Sequence, residues 1–385
     1  MLLLCSRVAV GVYPTMPQIL AINAGSSSIR FALFASSASF SRVLDARLER
    51  VGSQSAGASV DALVQRLRGE SAPEAIGHRV VHGMLHTQPE RVTPALLKDL
   101  KQIMPYDPEH LPREIALIEA VQERFPGVPQ VACFDTAFHR QMPPVATLLP
   151  IPRRYAARGV QRYGFHGLSY TFLMRELKRL GDPAAERGRV ILAHLGSGAS
   201  LAAVRHGRSI DTSMGFTPAA GLVMATRSGD LDPGIMSYLA RSESMTAAQF
   251  QTMVNHESGL IGISETSADI RDLLGAESVD ARAREAIDVF CYQTKKWIGA
   301  FAASLGGVDT LVFTGGIGEN AAVVRRRICE GLQFIGIEID ASLNEKHAAR
   351  ISSGAAAVRV IRTDEELVIA EMTAHLLNMP QGADT

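Results

Sequence analysis

An α/β fold built from two related halves is the architecture this sequence predicts, and three observations predict it. Residues 19–34, ILAINAGSSSIRFALF, set two apolar runs on either side of a Gly/Ser turn, the pattern of a tight β-hairpin. A second run of the same kind, ILAHLGSGASLAAVRHGRSIDTSMG, begins at Ile191. Aligned on its first three residues, Ile19-Leu20-Ala21 faces Ile191-Leu192-Ala193, and Ser28 faces Ser200. Between and after these hairpins, strand-like runs alternate with helical ones, which implies an α/β arrangement. Two such hairpins imply two like halves facing each other across a cleft.

Taken in order, the first hairpin offers backbone N–H groups, serine hydroxyls and Arg30 near one point, as a phosphate cradle would. A plain Ser-rich turn has the same composition, and neither P-loop nor dinucleotide-fold spacing is present. One further strand is expected between Ser36 and Gly57. VDALVQRLRG reads as a helix, and AIGHRVVHG as a buried strand ending at His82-Gly83. TPALLKDLKQI and REIALIEAVQERF are amphipathic helices, and VPQVACFDTAF is a strand whose end carries Asp135. The proline-rich run from Met142 to Arg162 is a candidate linker. Strands recur from Val190 to Met214. A Gly-rich loop and several helices lead to a strand at DTLVFTGG. A helix at AAVVRRRICEGL, a closing strand VRVIRTDEE and a terminal helix complete the chain. The expected units are residues 17–150 with the terminal helix 366–380 packed on them, and residues 151–365.

Composition excludes several functions. The 385 residues carry 39 basic and 39 acidic side chains, a net charge of zero, which argues against sequence-independent nucleic-acid binding. No apolar run approaches a membrane span. Cys5, Cys133, Cys291 and Cys329 are scattered without a CxxC, as fits reduced thiols in a cytoplasmic protein. Residues 1–16 lack a basic start and a cleavage site, so they read as an extension outside the fold, and the tail QGADT reads as unstructured.

Several segments could carry chemistry. LVFTGGIGENAAVVRRRI joins a strand, a glycine turn and a helix start, which suits either a nucleotide or a simple β–α connection. GFTPAAGLVMATRSGDLDPG holds Arg227 and Asp230, which could pair on the surface or leave the Arg for a moving phosphoryl group. Arg79 lies in an otherwise apolar strand and needs a partner, a structural carboxylate or an anionic substrate. Asp135 stands where an α/β strand meets its ligand crevice, unless it merely caps a turn. His166, in RYGFHGLSY, could be structural or catalytic. In RTDEEL a capping box from Thr363 to Glu366 would leave Glu365 to face the cleft and bind Mg²⁺.

Together these segments resemble the acetate kinase family, which includes propionate and butyrate kinases, within the acetate and sugar kinase/Hsp70/actin superfamily. NAGSSSIR, GHRVVHG, FDTAFH, RYGFHG, HLGSGAS, DTSMGFTP, TRSGDLDPG, FTGGIGEN and TDEELVIA occur in the family's order, from about Pro17 to about Ala374. The resemblance implies two duplicated actin-like domains flanking a nucleotide cleft, and reversible phosphoryl transfer from ATP to a carboxylate. Under it, Asn23 and Glu365 help hold Mg²⁺ (or Mn²⁺), and Arg30 contacts the nucleotide phosphates. Arg79 binds the substrate carboxylate, with Val81, Phe165 and Pro218 around its methyl group. Asp135 is the catalytic carboxylate, and His166 and Arg227 stabilise the transition state. Three loops hold ATP or ADP: His194, Leu195, Gly196, Ser197 and Gly198; Asp269, Ile270 and Arg271; and Gly316, Ile317, Gly318, Glu319 and Asn320. The family also implies a cytoplasmic homodimer, with neither membrane nor nucleic acid as partner.

The chain departs from the family pattern in four places. Ser197 replaces the Asn of HLGNG; Leu168 and Tyr170 alter RYGFHGTSH; Met84 follows HRVVHG. Met104-Pro105-Tyr106-Asp107-Pro108 stands where the family commonly reads APLHNP, one residue shorter and without the His. The last two departures bear on which acid is used. Acetate is expected first and propionate next. A sugar kinase and a non-enzymatic ATP switch of the actin or Hsp70 type are the rivals; neither needs Arg79, Asp135, His166 and Arg227 together.

Overall fold

The computed structural model describes residues 16–25, 28–36, 40–49 and 55–379, so most of the N-terminal extension and the QGADT tail lie outside the described residues. Two sheets organise the chain, and they share one topology. The first runs β3(Ser41–Glu49), β2(Ser28–Ala35), β1(Gln18–Ala24), β4(Ala75–Val80), β6(Gln130–Phe134) and a short edge strand β5(Glu90–Arg91). The second runs β9(Arg208–Thr212), β8(Ala199–Arg205), β7(Arg189–Leu195), β10(Thr310–Thr314) and β11(Ala357–Val360). In each, the first three strands in sequence form an antiparallel meander, and two more, β4 and β6 or β10 and β11, add in parallel beside the first; the first sheet also carries β5 antiparallel on its edge. Even the register irregularity recurs, between Leu33 and Phe34 in one sheet and Ala203 and Val204 in the other. The halves inferred from the two hairpins are therefore duplicates in architecture.

The residue alignment of those hairpins needs correction. Ala24 pairs with Ile29, whereas Leu195 pairs with Ala199, so the first turn is one residue longer than the second. Asn23 and Arg30 form one cross-strand pair; its counterpart is His194 and Ser200. Ser28 does not correspond to Ser200. Apolar strand residues fix an alignment poorly; turn length and pairing fix it, and a one-residue slip would turn every side chain to the other face.

The central strands of both sheets are buried. Ile19, Leu20, Phe31 and Leu33 are fully covered in the first, as are Ile191, Leu192, Val312 and Phe313 in the second. The helix Ala56–Arg66, opened by the Ser55 cap, packs with the helix Leu111–Arg124 on one face of the first sheet. The helix Ala281–Leu305 packs Phe290, Ile298 and Phe301 against the second. The run from Met142 to Arg162 joins the sheets but is not loose: Arg162 Nη1 donates to the carbonyls of Thr212, Ser213 and Met214 at 3.0–3.3 Å.

The terminal helix spans Glu365–Leu376 and returns to the first sheet, lying across β1 and β4. Its start corrects the capping-box expectation. Asp364 is the cap, accepting from the Leu367 N–H at 3.0 Å, while Thr363 Oγ1 is buried without a partner. Glu366 is consequently released from capping and turns inward toward Asn23.

The approach of this helix to β4 is close. A β-carbon on Gly77 would sit 2.3 Å from Thr373 Oγ1 and 2.5 Å from Ile369 Cγ2. Gly77→Val should therefore lift the helix and carry Glu365 away from the cleft. We expect a loss of about 1–3 kcal/mol in urea unfolding from overpacking, with a larger loss of turnover than of fold. Unchanged stability and turnover would show that the contact yields freely.

Candidate active site

Sheet register assembles the first side of the site. Asn23 on β1 and Arg30 on β2 are directly opposed, so their side chains share a face. Ile22 pairs with His78 on parallel β4, so the next residues, Asn23 and Arg79, emerge side by side at the strand ends. Arg79 pairs with Cys133 on β6, and Asp135 leaves that strand at its C-terminal end, the side on which open α/β sheets place their ligands.

Arg79 and Asp135 meet there. Nε and Nη2 of Arg79 donate to Asp135 Oδ2 at 3.0 and 2.5 Å, and Nη1 donates to the Ala24 carbonyl at 3.0 Å. Burial works against the guanidinium charge, but the Asp135 and Glu365 carboxylates more than offset it, and Arg79 stays charged. Asp135 is completely buried, and its Oδ1 has no hydrogen-bond partner. Asp135 is thus neither a helix cap nor a solvated carboxylate; one oxygen holds Arg79 and the other is buried without a partner.

His166 is brought beside Asp135 by a steric device. A β-carbon on Gly167 would lie 2.0 Å from the Asp135 carbonyl oxygen, so only glycine admits this approach. His166 itself adopts a left-handed conformation, φ 60°, ahead of the helix Gly167–Arg179. Its pKa is lowered well below the usual value, by burial first and then by neighbouring His194, Arg79 and Arg227. The imidazole is therefore neutral. His166 Nδ1 lies 2.8 Å from Ser200 Oγ, which lies 2.5 Å from the Tyr170 hydroxyl. Burial raises the Tyr170 pKa, so the phenol keeps its proton, and Tyr170, Ser200 and His166 Nδ1 form one hydrogen-bonded chain. Tyr170, one of the departures from the family pattern, thereby has a defined task. His139 supports the same loop: its Nε2 is 3.1 Å from the Phe165 carbonyl, and its Nδ1 is 2.8 Å from Ser209 Oγ.

The second half closes the site. A β-carbon on Gly198 would lie 3.4 Å from His166 Nε2 and 3.7 Å from Arg227 Nη1, so both groups converge on the β7–β8 turn. Ser197 is exposed at its tip. His194 stacks on His166, centroids 4.2 Å apart, and receives a contact from Ser169 Oγ at 2.9 Å. Arg227 makes no pair with Asp230, whose Oδ1 accepts from the Gly221 N–H at 2.9 Å. Its Nη2 instead lies 3.3 Å from His110 Nε2, and Nη1 donates to the Pro218 carbonyl at 3.3 Å. His110 was invisible in the sequence because it lies two positions past the departing segment and belongs to no recognised motif.

The remaining loops are tied down by side chains, several of them to main chain. After β10, the short helix Gly315–Asn320 places Gly316 and Asn320 at the surface and Ile317 in the core. Glu319 is occupied within the turn, accepting from the Gly315 N–H at 2.9 Å and Thr314 Oγ1 at 3.3 Å. Arg325, completely buried, donates Nη1 to the Gly318 and Glu319 carbonyls at 2.8 and 2.9 Å and Nε to Asn344 Oδ1 at 2.8 Å. It ties the glycine turn down and was missed because a basic run usually marks a solvated face. Asp269 caps the next helix and pairs with exposed Arg271, while Ile270 and Leu195 are buried and can offer a ligand only main chain.

Val81 and Phe165 belong to the second half's core, with His82 edge-on to Tyr163 and Phe165, and Pro218 is buried too. Tyr106 packs its ring on Phe216 and donates its hydroxyl to the Arg158 carbonyl at 2.8 Å, so its tip is anchored. Behind Val81, both Glu114 carboxylate oxygens accept from the Val81 N–H at 3.1 and 3.3 Å. A cavity of about 210 Å³ lies between the first hairpin and this helix, lined by Ala24, Gly25, His110 and Glu114 among others.

Among the described residues no three His, Cys, Asp or Glu side chains form a metal site by themselves. The oxygen donors nevertheless fit a hard cation that brings its own phosphate ligands. Asn23 Nδ2 donates to Glu365 Oε2 at 2.8 Å and to Glu366 Oε1 at 2.9 Å, which leaves its amide oxygen free of that pair. Burial raises both glutamate pKa values, and Asp135 adds to the rise at Glu365 while Arg79 opposes it. Such crowding of negative charge, with an unpaired Asp135 oxygen beside it, favours a cation.

The chain matches the model of the acetokinase family over residues 58–371. It is 42% identical over 403 aligned positions to the acetate kinase of Methylocella silvestris, covering 95% of this chain and 99% of that one. The crystal structure of Porphyromonas gingivalis acetate kinase is similar at a TM-score of 0.85 and 33% identity, covering 94% of this chain and 100% of that one. A propionate kinase from Francisella tularensis is similar at 0.84 and 35%, with the same coverage.

One electrostatic consequence is measurable. Burial pushes the Glu114 carboxyl up to about 8 from 4.5, with Asp107 adding to the rise and Arg79 and the Val81 N–H opposing it. Across that window the folded protein binds the extra proton, so this group's stabilisation is complete below pH 4.5 and is lost as the pH rises through about 8. Glu114→Gln removes the titration. In urea unfolding at pH 5, 7 and 9 the variant should gain on the wild type as the pH rises. Parallel curves would contradict a protonated Glu114.

Proposed function

The chain belongs to the acetokinase family, and on that footing we propose that it transfers the γ-phosphoryl group of ATP reversibly to a short-chain carboxylate, giving an acyl phosphate and ADP. Acetate is the first candidate acid and propionate the next. The observation that carries this reading is the convergence of His166 Nε2 and Arg227 Nη1 on Gly198, within electrostatic reach of the Arg79–Asp135 pair.

A carboxylate oxygen is nucleophilic at neutral pH, so no base has to remove a proton. It attacks the γ-phosphorus in line, the bond to the bridging oxygen breaks, and its electron pair leaves with ADP. What the reaction needs is alignment and compensation of charge. Arg79 keeps N–H groups beyond those given to Asp135 and Ala24, and these hold the incoming acid. Val81, Phe165 and Pro218 take its alkyl end. The Nε2–H of His166 and the guanidinium of Arg227 donate to the phosphoryl oxygens. Arg30 and the three loops hold the nucleotide, largely through main-chain groups. Mg²⁺, or Mn²⁺, adds positive charge at the phosphates when bound, and Asn23 and Glu365 supply the oxygens for it. Because Asp135 is bound to Arg79, it suits charge placement better than the base role a sugar kinase would require.

We also propose a homodimer acting in the cytoplasm. The helices Gly234–Ser242 and Ala247–Thr252 bury none of their residues in the single chain, and Tyr238 is 61% exposed. Short helices are marginal without packing, which supports a second copy over this segment. Light scattering should give two chains per particle; a single chain would contradict it. The three described cysteines are buried free thiols, in keeping with a reducing compartment.

Hydroxylamine trapping of the acyl phosphate tests the reaction. Acetate and propionate should both give product, with kcat/KM within roughly 200-fold of each other, since one methylene changes preference by about 1–3 kcal/mol. Butyrate should be poorer with Tyr106 anchored at the rim. Phosphorylated sugar, or slow ATP hydrolysis alone, would favour the rivals. Arg79→Ala should raise the KM of the acid by at least about 30-fold while sparing ATP. Arg227→Ala and His166→Ala should lower kcat roughly 100- to 1000-fold. Equal effects of Arg79→Ala on both substrates would make it structural.

A further inference from the structure

The segment Met104–Pro108 has lost the histidine common in the family, yet an imidazole stands beside Arg227. Asp107 is buried at 2% exposure, and its Oδ1 lies 2.8 Å from His110 Nδ1. His110, its side chain 10% exposed, lies with Nε2 3.3 Å from Arg227 Nη2. A carboxylate only accepts and a guanidinium only donates. The ring between them must carry its proton on Nδ1, donate it to Asp107, and accept from Arg227 on Nε2. Among the described residues no carboxylate pairs with Arg227; its other contacts are the Pro218 carbonyl and Met224 Sδ at 3.8 Å.

We propose that His110, oriented by Asp107, is the positioning residue for Arg227, holding the guanidinium toward the Gly196–Gly198 turn without neutralising it. This rests on the reading of Arg227 given above. A carboxylate in contact with Arg227 would fix it equally well but would cancel the charge intended for the phosphoryl group. A neutral acceptor fixes the direction and leaves the charge available. Asp107, one ring's width away, offsets the cost of burying the cation, and its carboxylate raises the Arg227 pKa against burial, which lowers it. Asp107 Oδ2 is itself buried without a partner, so the side-chain hydrogen bond of this acid is the one between Oδ1 and the imidazole.

Three substitutions separate positioning from a structural tether. His110→Ala removes both contacts. His110→Gln can return an oxygen acceptor near the position of Nε2. His110→Asn can return a donor near the position of Nδ1 but cannot reach Arg227. Each is made alone and with Arg227→Ala, with circular dichroism and thermal unfolding as checks of fold. For His110→Ala we expect kcat to fall about 10-fold or more, with KM for acid and ATP within about 3-fold. His110→Gln should recover most of kcat and His110→Asn should not. In the Arg227→Ala background, His110→Ala should change kcat less than about 2-fold, because coupled residues are not additive. Rescue by Asn in place of Gln would overturn the proposal, as would losses that multiply with those of an impaired Arg227→Ala. Wild-type kcat in Arg227→Ala would instead overturn the reading of Arg227 and this proposal with it.

Discussion

The buried ion pair between Arg79 and Asp135 joins two strand ends and sets the position of everything around it. Its Nη2–Oδ2 distance is 2.5 Å, and Asp135 has no exposed surface. Taking two charges out of water is costly, and removing one partner from such a pair typically loses about 3–5 kcal/mol. A pair of this kind is weak as a source of stability and strong as a constraint. Arg79 reaches the Ala24 carbonyl at the first turn, and the main chain of Asp135 is pressed against Gly167. The first hairpin, the helix carrying His166 and the parallel strands are thereby held to one centre.

Around this pair the cleft keeps its histidines neutral. Burial lowers the pKa of His194 and of His139 to about 4, and that of His166 falls with them. Neutral imidazoles serve as oriented N–H donors or as acceptors, and each ring of the site is held by a second group: Ser200 behind His166, the Phe165 carbonyl and Ser209 behind His139, Asp107 behind His110. Positive charge is left to the arginines and to whatever cation accompanies the phosphates. Such preorganised donors lose little by reorganisation when charge moves in the transition state.

Much of the fold was legible because hydrophobic period and turn chemistry are local signals. The strands β1, β2, β4, β6, β7 and β10 and the helix Leu111–Arg124 fall where the patterns put them. The duplicated hairpin was also visible, but its residue alignment was not, since pairing is decided across the sheet and by a turn one residue longer in one copy. The cap at Asp364 was misread as Thr363 because both residues carry the right chemistry, and only backbone geometry separates them. Resemblance to a known family supplied the roles of Asn23, Arg79, Asp135 and Glu365. Their contacts could not be read in advance, because an ion pair between residues 79 and 135 is a property of the parallel sheet register. The tasks of His110 and Tyr170 were missed for the same reason: each acts on a group distant in sequence.

The central claim is that the Arg79–Asp135 pair places charge for transfer and does not merely hold the fold. Asp135→Asn tests it most directly, because the amide oxygen can still accept from Arg79 while the negative charge is gone. Calorimetric titration with ATP, alongside turnover of acetate in the same preparation, is the measurement. The account predicts a folded protein that binds ATP within a few-fold of wild type and turns over at least about 100-fold more slowly. Turnover near the wild-type rate, or loss of ATP binding together with the fold, would contradict it.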